Sequence, residues 1–290
     1  MTMVLEARAK VNLSLHVTGR RGDGYHTLDT IMASVDLADT LWIGERARGI
    51  TLSVEGGAPA GEENLAMRAA RLLEPLCDGR GADILLIKRI PAQAGLGGGS
   101  ADAAAALIGL NRLWDLNLPP CVLARYALRL GADVPFMLTG GLARCRGVGE
   151  DITPLPFAGK LPLLIIRGGE GLSTAAVYHA MDRMDAPCPE GSPDAAEDAL
   201  RRSDRARLAA ALGNDLEAPA RALGLPVDEI CADLIESGAL AARMTGSGSA
   251  FFGLYESVDA ATRAQVRLAA RYPFCCVAST VAQGLAWTRE

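Results

Sequence analysis

A chain of 290 residues is long enough for two domains or one large one. Half of its residues are hydrophobic and 22% are charged, as in ordinary folded proteins. The net charge of −5 argues against a nucleic-acid partner, which needs a basic face. No apolar run approaches the roughly 18 residues of a membrane span, and Glu6, Arg8 and Lys10 interrupt the first apolar stretch, which argues against a signal peptide. The seven cysteines form no C-x-x-C pair, so we expect no zinc site or disulfide framework and a reducing, cytoplasmic setting.

The first half of the chain mixes strand and helix patterns. Strands are predicted at residues 3–18, 27–35, 40–43, 50–54 and 84–90, with a loop at 19–24. Helices are predicted at 64–76, 100–114 and 119–130, the last of which stops at Gly131. Ser100 is a candidate for the N-cap of the second helix, or for a hydroxyl offered to a phosphate or a metal ion.

The second half begins after a cluster of proline and glycine between residues 154 and 162, which predicts a domain boundary and two domains at 1–155 and 156–290. A buried strand is predicted at 161–166, a helix at 173–184 with Ser173 as N-cap, and an exposed, mobile loop at 186–198. Helices at 204–212, 215–222, 226–237 and 260–272, a strand-like pair at 243–255 and a strand at 274–283 complete the chain. Because several neighbouring strands look antiparallel, the predicted fold class is α+β.

Four glycines in five positions, Gly95 and Gly97 to Gly99, stand between a predicted strand and a predicted helix. Glycine permits positive φ and a close approach of a ligand to the backbone. The free amides and the dipole at a helix start attract anions, so the loop suits a phosphate. No lysine follows the glycines as in a Walker loop, and Ser100 stands where the dinucleotide fingerprint needs glycine. A tight helix entry without a ligand is the alternative.

Four segments in this order resemble the GHMP small-molecule kinases: residues 9–13, 91–102, 131–136 and 244–250. The resemblance runs from about residue 5 to residue 283. Residues 22–28, Gly-Asp-Gly-Tyr-His-Thr-Leu, are similar to the members that act on a cytidine diphosphate-linked methylerythritol, and residues 147–150 and 214–217 also look like them. The resemblance implies two α+β domains with the active site in the cleft between them. It also implies transfer of phosphate from ATP, with Mg²⁺, to the 2-hydroxyl of that alcohol on the non-mevalonate route to isopentenyl diphosphate.

The resemblance assigns Asp133 as general base and Lys10 as its electrostatic partner. Asp133 follows a helix end, and we expect Pro135 to keep the intervening residue extended. From the residues alone, Asp133 also fits a turn and Lys10 a solvated strand position. Asn12, two residues beyond Lys10 on the same strand face, is expected to orient the substrate hydroxyl.

The remaining assignments concern the base, the phosphates and the nucleotide. Tyr25 and His26 resemble a cytidine-recognition pair, and Tyr178 fits either a second stacking ring or a helix core. The turn of Thr245, Gly246, Ser247 and Gly248 is expected to close against the glycine loop and the substrate diphosphate, or else to be a plain hairpin turn. The ATP phosphates are expected along Pro91, Ala92, Gln93, Ala94, Gly95, Leu96, Gly97, Gly98, Gly99, Ser100 and Ala101, with Asn64, Lys88 and Asp102 near the nucleotide.

Two of these assignments stay open at the level of the residues. Asp102 equally fits a first-turn acid favoured by the helix dipole, and no carboxylate cluster identifies the ligands of a metal. Two other functions compete with the favoured one. The first is a kinase of this type with a different alcohol, and the second is a silent nucleotide-binding protein. A binding module needs neither Lys10 nor Asp133, which argues against the second.

Overall fold

The computed structural model describes residues 2–156, 159–184 and 191–289, in which two β-sheets organise the chain. The strands of the first sheet are β1 (Thr2–Arg20), β2 (His26–Arg46), β3 (Ile50–Glu55), β4 (Gly81–Ile87), β5 (Leu142–Gly147), β6 (Asp151–Pro154), β8 (Gly213–Asn214) and β12 (Leu285–Arg289). The second sheet has the order β11-β7-β10-β9. Its strands are β7 (Pro162–Arg167), β9 (Ala241–Met244), β10 (Ala250–Leu254) and β11 (Cys275–Ser279).

Antiparallel pairing dominates both sheets, as an α+β fold requires. In the first sheet the order is β12-β1-β2-β4-β3, and β5 joins the first half of β2 while β4 joins its second half. Only β3 with β4 and β8 with β1 run parallel among the described strands. The predicted strands at 27–35 and 40–43 are therefore two halves of one long strand.

Ten α-helices lie in the described residues, and none of them is both long and apolar enough to cross a membrane. They are α1 (Leu65–Leu73), α2 (Gly98–Leu113), α3 (Pro120–Leu130), α4 (Val134–Thr139), α5 (Thr174–Met181), α6 (Pro193–Arg201), α7 (Arg205–Ala211), α8 (Glu217–Ala222), α9 (Val227–Glu236) and α10 (Val258–Leu268).

Small side chains let α2 lie close to the first sheet. Ala103 to Ala106 are fully buried, and a methyl group on Gly109 would overlap the side chain of Ile43 on β2. Close packing of this kind depends on volume, so larger residues here would push the helix off the sheet. The position of α2 matters for the site, because the glycine loop forms its N-terminal end.

Three hydrophobic clusters form the core. The first packs α1 to α4 on the first sheet, and the third packs α5 and α8 to α10 on the second sheet. The second cluster joins both sheets, through residues such as Val11 and Ile165, to α6 and α7. Strands β8 and β12 follow residue 155 in the chain, yet they belong to the first sheet. A boundary at 155/156 therefore assigns strands of this one sheet to both predicted domains. The boundary stays a prediction.

Several local predictions were wrong. Residues 193–198, predicted as part of a loop, begin α6, because Ser192 caps the helix and Pro193 stands in its first turn. Residues 185–190 of that loop lie outside the described residues. Helix α2 starts at Gly98 with Gly97 as N-cap, so Ser100 is not the cap. The short elements β5, β6, α4 and β12 were not predicted.

Arg144 anchors α6 to the first sheet. Its guanidinium is buried and donates to Asp29 at 2.6 and 2.7 Å, to Asp194 at 2.7 Å and to Glu197 at 3.0 Å. Burial alone would raise the pKa of Asp29, but the hydrogen bonds and charges of Arg144 and Arg146 together outweigh it, so the pKa is lowered.

Arg144→Met is expected to lower the free energy of unfolding by about 3 kcal/mol, because one partner of a buried ion pair is then left alone. Urea unfolding measures the change. Arg202→Met, which breaks the exposed pair with Asp198 on the same helix, should cost about 0.5 kcal/mol or less. Equal losses in the two variants would contradict the anchoring role of Arg144.

Candidate active site

The glycine loop lies directly beside β1. The amide of Lys10 donates to the carbonyl of Leu96 at 3.0 Å, and Gly97 takes a left-handed φ of 69° before α2 begins. A methyl group on Gly97 would overlap the side chain of Met137 and touch that of Lys10. Glycine is therefore required here by both conformation and space. The contact places the free amides at the start of α2 next to Lys10.

Lys10 is buried and reaches two polar partners. Its Nζ donates to Asn12 Oδ1 at 2.6 Å and lies 3.5 Å from Asp133 Oδ2. Asn12 Nδ2 in turn donates to Thr30 Oγ1 at 2.9 Å, and Thr30 was not predicted as a site residue. Lys10 is only 3% exposed whereas the Asp133 side chain is 32% exposed, so the lysine faces inward and the carboxylate opens toward solvent.

Asp133 stands immediately before α4. The expectation that Pro135 keeps Val134 extended was wrong, since Val134 is the first residue of that helix. Proline fits the first turn because its missing N–H has no partner to lose there. The Asp133 side chain makes no capping hydrogen bond to α4, so its carboxylate remains directed at Lys10.

Lys88 lies beneath the start of α2 between two buried carboxylates. Its Nζ donates to Asp102 Oδ2 at 2.6 Å and also to Asp39 Oδ2. Burial raises the pKa of Asp102 more than the charge of Lys88 lowers it, so Asp102 keeps a proton more readily than a free aspartate. Asp39 was missed in the sequence. It lies between the predicted strands at 27–35 and 40–43, where a single acidic residue has no local pattern. Its carboxylate accepts hydrogen bonds from the amides of Arg89 and Ile90.

Asn64 caps α1, and its side chain accepts from the amide of Ala66 at 2.9 Å. Leu65, which follows Asn64 in the chain, lies close to the glycine loop. A methyl group on Gly99 would stand 3.4 Å from the Leu65 side chain. The structure therefore brings Asn64, Lys88 and Asp102 to the same end of α2 as the glycine loop.

The turn of residues 245–248 joins β9 to β10 and packs against the glycine loop, as the sequence predicted. Thr245 Oγ1 accepts from the amide of Asn12 at 2.9 Å, and the amide of Ala250 donates to the carbonyl of Ala94 at 3.0 Å. A methyl group on Gly95 would overlap the carbonyl oxygen of Thr245. The glycine loop of the first sheet and the hairpin turn of the second sheet thus meet at Lys10.

Residues 214–217 hold this turn in place. Asn214 Nδ2 donates to the carbonyls of Met244 at 2.8 Å and Gly246 at 2.9 Å, and Glu217 Oε1 accepts from the amide of Met244 at 2.8 Å. Asp215 Oδ2 accepts from the amide of Val17 on β1 at 2.9 Å. In the sequence, only its resemblance to a known family distinguishes this segment. The structure shows that it ties β1 to the turn.

Asn214→Asp is expected to destabilise the chain by about 2 kcal/mol, because a buried carboxylate would then face two carbonyl oxygens with no donor between them. The displaced turn should also lower kcat/KM. Unfolding by urea and steady-state kinetics measure the two effects. Asn117→Asp makes the same chemical change at an exposed position and should alter neither. If Asn117→Asp and Asn214→Asp behave alike, the turn does not depend on Asn214.

Of the three predicted base-binding residues, His26 and Tyr178 contact each other. The rings of His26 and Tyr178 stack with centroids 4.7 Å apart and an interplanar angle of 18°. Tyr25 is 67% exposed and joins no ring stack within the described ranges. Burial and, after it, the charge of Asp133 raise the pKa of Tyr178, which places this ring within electrostatic reach of Asp133. Asp182, which binds His26 Nε2 at 2.7 Å, was not predicted.

Ser247 and Ser100 complete the predicted set. Ser247 Oγ lies 2.9 Å from Thr174 Oγ1 at the start of α5, so the turn also contacts the helix that carries Tyr178. Ser100 lies in the first turn of α2, and its side chain makes no capping bond. Among the described residues, no group of three or more His, Cys, Asp or Glu side chains is placed to hold a metal ion.

Two family models match the parts of the chain that carry the glycine loop and the hairpin turn. Residues 64–141 match the family model described as GHMP kinases N terminal domain. Residues 196–273 match the model described as GHMP kinases C terminal. The two matches include α1 to α4 with the glycine loop and the β9–β10 hairpin with its turn.

Curated relatives extend the match to nearly the whole chain. The 4-diphosphocytidyl-2-C-methyl-D-erythritol kinase of Moorella thermoacetica is 46% identical over 96% of this chain and 99% of its own. The enzyme of the same name from Cereibacter sphaeroides is 44% identical over 92% and 94%. That from Alkaliphilus metalliredigens is 38% identical over 92% and 93%.

Solved structures agree with this assignment. A crystal structure of 4-(cytidine 5'-diphospho)-2C-methyl-D-erythritol kinase matches with a TM-score of 0.84 and 39% identity, over 96% of this chain and 99% of its own. Homoserine kinase from Cytophaga hutchinsonii shares the fold, with a TM-score of 0.76 at 21% identity, over 99% and 97%. The kinases of this family take their phosphate from ATP and transfer it to small molecules. The chain therefore belongs to the GHMP kinases, in the family of the 4-diphosphocytidyl-2-C-methyl-D-erythritol kinases.

Proposed function

We propose that this chain transfers the γ-phosphate of ATP to the 2-hydroxyl of 4-diphosphocytidyl-2-C-methyl-D-erythritol, on the non-mevalonate route to isopentenyl diphosphate. The observation that carries the proposal is the buried Lys10 ammonium 3.5 Å from the half-exposed carboxylate of Asp133, beside a helix N-terminus lined with glycine. Burying a lysine costs free energy, and nucleotide binding alone does not need this pair. The names of the relatives supply the alcohol.

Asp133 acts as the general base in this proposal. Its carboxylate accepts the proton of the attacking hydroxyl, whose oxygen bonds to the γ-phosphorus as the bond to the β-phosphate oxygen breaks and ADP leaves. Lys10 pairs with Asp133 at 3.5 Å and stabilises the negative charge on the transferring group. Both polar atoms of Asn12 contact protein groups, so Asn12 acts by holding the Lys10 ammonium in place, with its own carboxamide beside the substrate hydroxyl.

The ATP phosphates lie along residues 91–101 in this proposal, with the β- and γ-phosphates at the free amides that begin α2. Asn64, Lys88 and Asp102 line the nucleotide side of that helix end. Mg²⁺ accompanies ATP in phosphoryl transfer and neutralises charge on the phosphates. The Ser100 hydroxyl, in the first turn of α2, would be the protein group offered to this ion.

The cytosine ring is expected to lie against Tyr178 in the plane of His26, covered by Tyr25. A centroid separation of 4.7 Å is that of an offset stack, so His26 leaves part of the Tyr178 face free. A base hydrogen-bonded to the edge of His26 would stack on this free part. The turn of residues 245–248 then faces the diphosphate that joins the base to the alcohol.

ADP release with ATP and magnesium tests the proposal. Turnover is expected with 4-diphosphocytidyl-2-C-methyl-D-erythritol and not with the same alcohol lacking its cytidine. Turnover with both would indicate a kinase of broader alcohol specificity. Binding of ATP with no turnover on either would favour a kinase of another alcohol or the silent nucleotide-binding protein, and it would contradict the proposal.

A further inference from the structure

His26, Arg20 and Asp182 form a charged group at the rim of the proposed base pocket. His26 begins β2 and pairs across the strands with Arg20 at the end of β1, while Asp182 directly follows α5. Asp182 Oδ1 lies 2.7 Å from His26 Nε2, and Asp182 Oδ2 lies 3.3 Å from Arg20 Nη1. Each oxygen of the carboxylate therefore has its own cationic or N–H partner.

This contact determines where the imidazole carries its proton. A carboxylate only accepts hydrogen bonds, so the His26 nitrogen that faces Asp182 must be the one bearing hydrogen. The hydrogen bond from His26 lowers the pKa of Asp182 and outweighs burial, which raises it, so this acceptor stays ionised. In the neutral imidazole the hydrogen therefore lies on Nε2, and Nδ1 carries a lone pair.

A lone pair on Nδ1 distinguishes two pyrimidines of the same shape. Cytosine presents an amino group, a donor, at the ring position where uracil presents a carbonyl oxygen, an acceptor. An accepting Nδ1 pairs with the amino group and opposes the carbonyl. The stack of His26 on Tyr178 holds the imidazole in the plane that a base on Tyr178 would share.

We infer that Asp182 is a specificity-determining residue, which fixes the hydrogen of the neutral His26 ring on Nε2 so that its Nδ1 selects an amino-bearing pyrimidine over an oxo-bearing one. The inference rests on the proposed function for the location of the base. The state of the imidazole itself can be measured without any substrate.

Nitrogen-15 NMR of the free enzyme gives the first test. The chain has three histidines, so the His26 signals can be assigned from a His26→Gln variant. We expect nitrogen shifts of a neutral ring with hydrogen on Nε2 at mildly alkaline pH, and loss of this preference in Asp182→Asn, since an amide both donates and accepts. A ring with hydrogen on Nδ1, or on both nitrogens, would overturn the inference whether or not the enzyme is a kinase.

Kinetics with cytidine- and uridine-linked forms of the alcohol give the second test. Asp182→Asn is expected to reduce the preference for cytidine in kcat/KM by about tenfold or more, mainly through KM. Asp198→Asn removes the same charge from α6, where Asp198 forms an exposed pair with Arg202, and should leave the preference unchanged. An unchanged preference in Asp182→Asn, or an equal loss in both variants, would overturn the role of Asp182.

Discussion

Replacing Asp133 with asparagine is expected to lower kcat by about 10²–10⁴-fold, because the amide cannot accept the proton of the attacking hydroxyl. The change keeps the size of the side chain, and Lys10 retains its 2.6 Å hydrogen bond to Asn12. ATP affinity should therefore stay within about twofold, since the glycine loop contacts β1 through backbone atoms and not through Asp133. Steady-state kinetics and equilibrium binding of ATP measure the two quantities separately.

The matched control is Asp151→Asn, which neutralises an exposed carboxylate on β6. It should leave both kcat and ATP affinity unchanged. Turnover by Asp133→Asn within tenfold of the unmodified enzyme would contradict the assignment of the base. A loss of ATP binding together with turnover would indicate a structural role for Asp133 instead.

Gly95→Ala is expected to lower kcat/KM by about 10²-fold or more, because the new methyl group would occupy the position of the Thr245 carbonyl oxygen. Backbone atoms on both sides of this contact cannot rotate away as a flexible side chain can. The φ of +76° at Gly95 adds conformational strain of about 1–2 kcal/mol for any residue with a Cβ. The turn of residues 245–248 must then separate from the glycine loop, which moves the free amides at the start of α2 relative to Lys10.

Gly79→Ala separates the two causes. Its φ of +77° imposes the same strain, but no described heavy atom outside its neighbours lies within 4 Å of the added methyl group. We expect a stability loss of about 1 kcal/mol and unchanged kinetics for this variant. Equal kinetic losses in both variants would show that strain, and not the contact with Thr245, limits activity.

Local sequence patterns predicted most elements of the fold. The glycine loop before an alanine-rich helix, the periodic apolar residues of α1 and the buried runs of the strands each carry their own structural preference. The failures occurred where two local preferences competed. Ser192 and Pro193 begin a helix in a stretch whose proline and acidic content suggested a loop, and Pro135 stands in a first turn where an extended neighbour was expected.

The residues of the candidate site also fall into those that the sequence could identify and those that it could not. Lys10, Asp133 and the glycine loop could be named because their residue types and order match a known family. Asp39, Asp182 and Thr30 could not, because a single acidic or hydroxyl residue in a strand or after a helix has no local pattern. Their roles depend on what lies opposite them, which is Lys88 for Asp39 and His26 for Asp182.

The sequence by itself determined the fold class and the position of the glycine loop, and it supplied Lys10 and Asp133 as the proposed reacting pair, because these follow from short-range pattern and from motif order. Only the tertiary structure decided that Lys10 is buried and bound to Asn12, that residues 214–217 hold the turn against β1, and that His26 stacks on Tyr178 beside Asp182. Apart from the bond between Lys10 and its near neighbour Asn12, these contacts join residues far apart in the chain. Burial, hydrogen-bond partners and the protonation of an imidazole depend on such neighbours and are set only when the two sheets pack together.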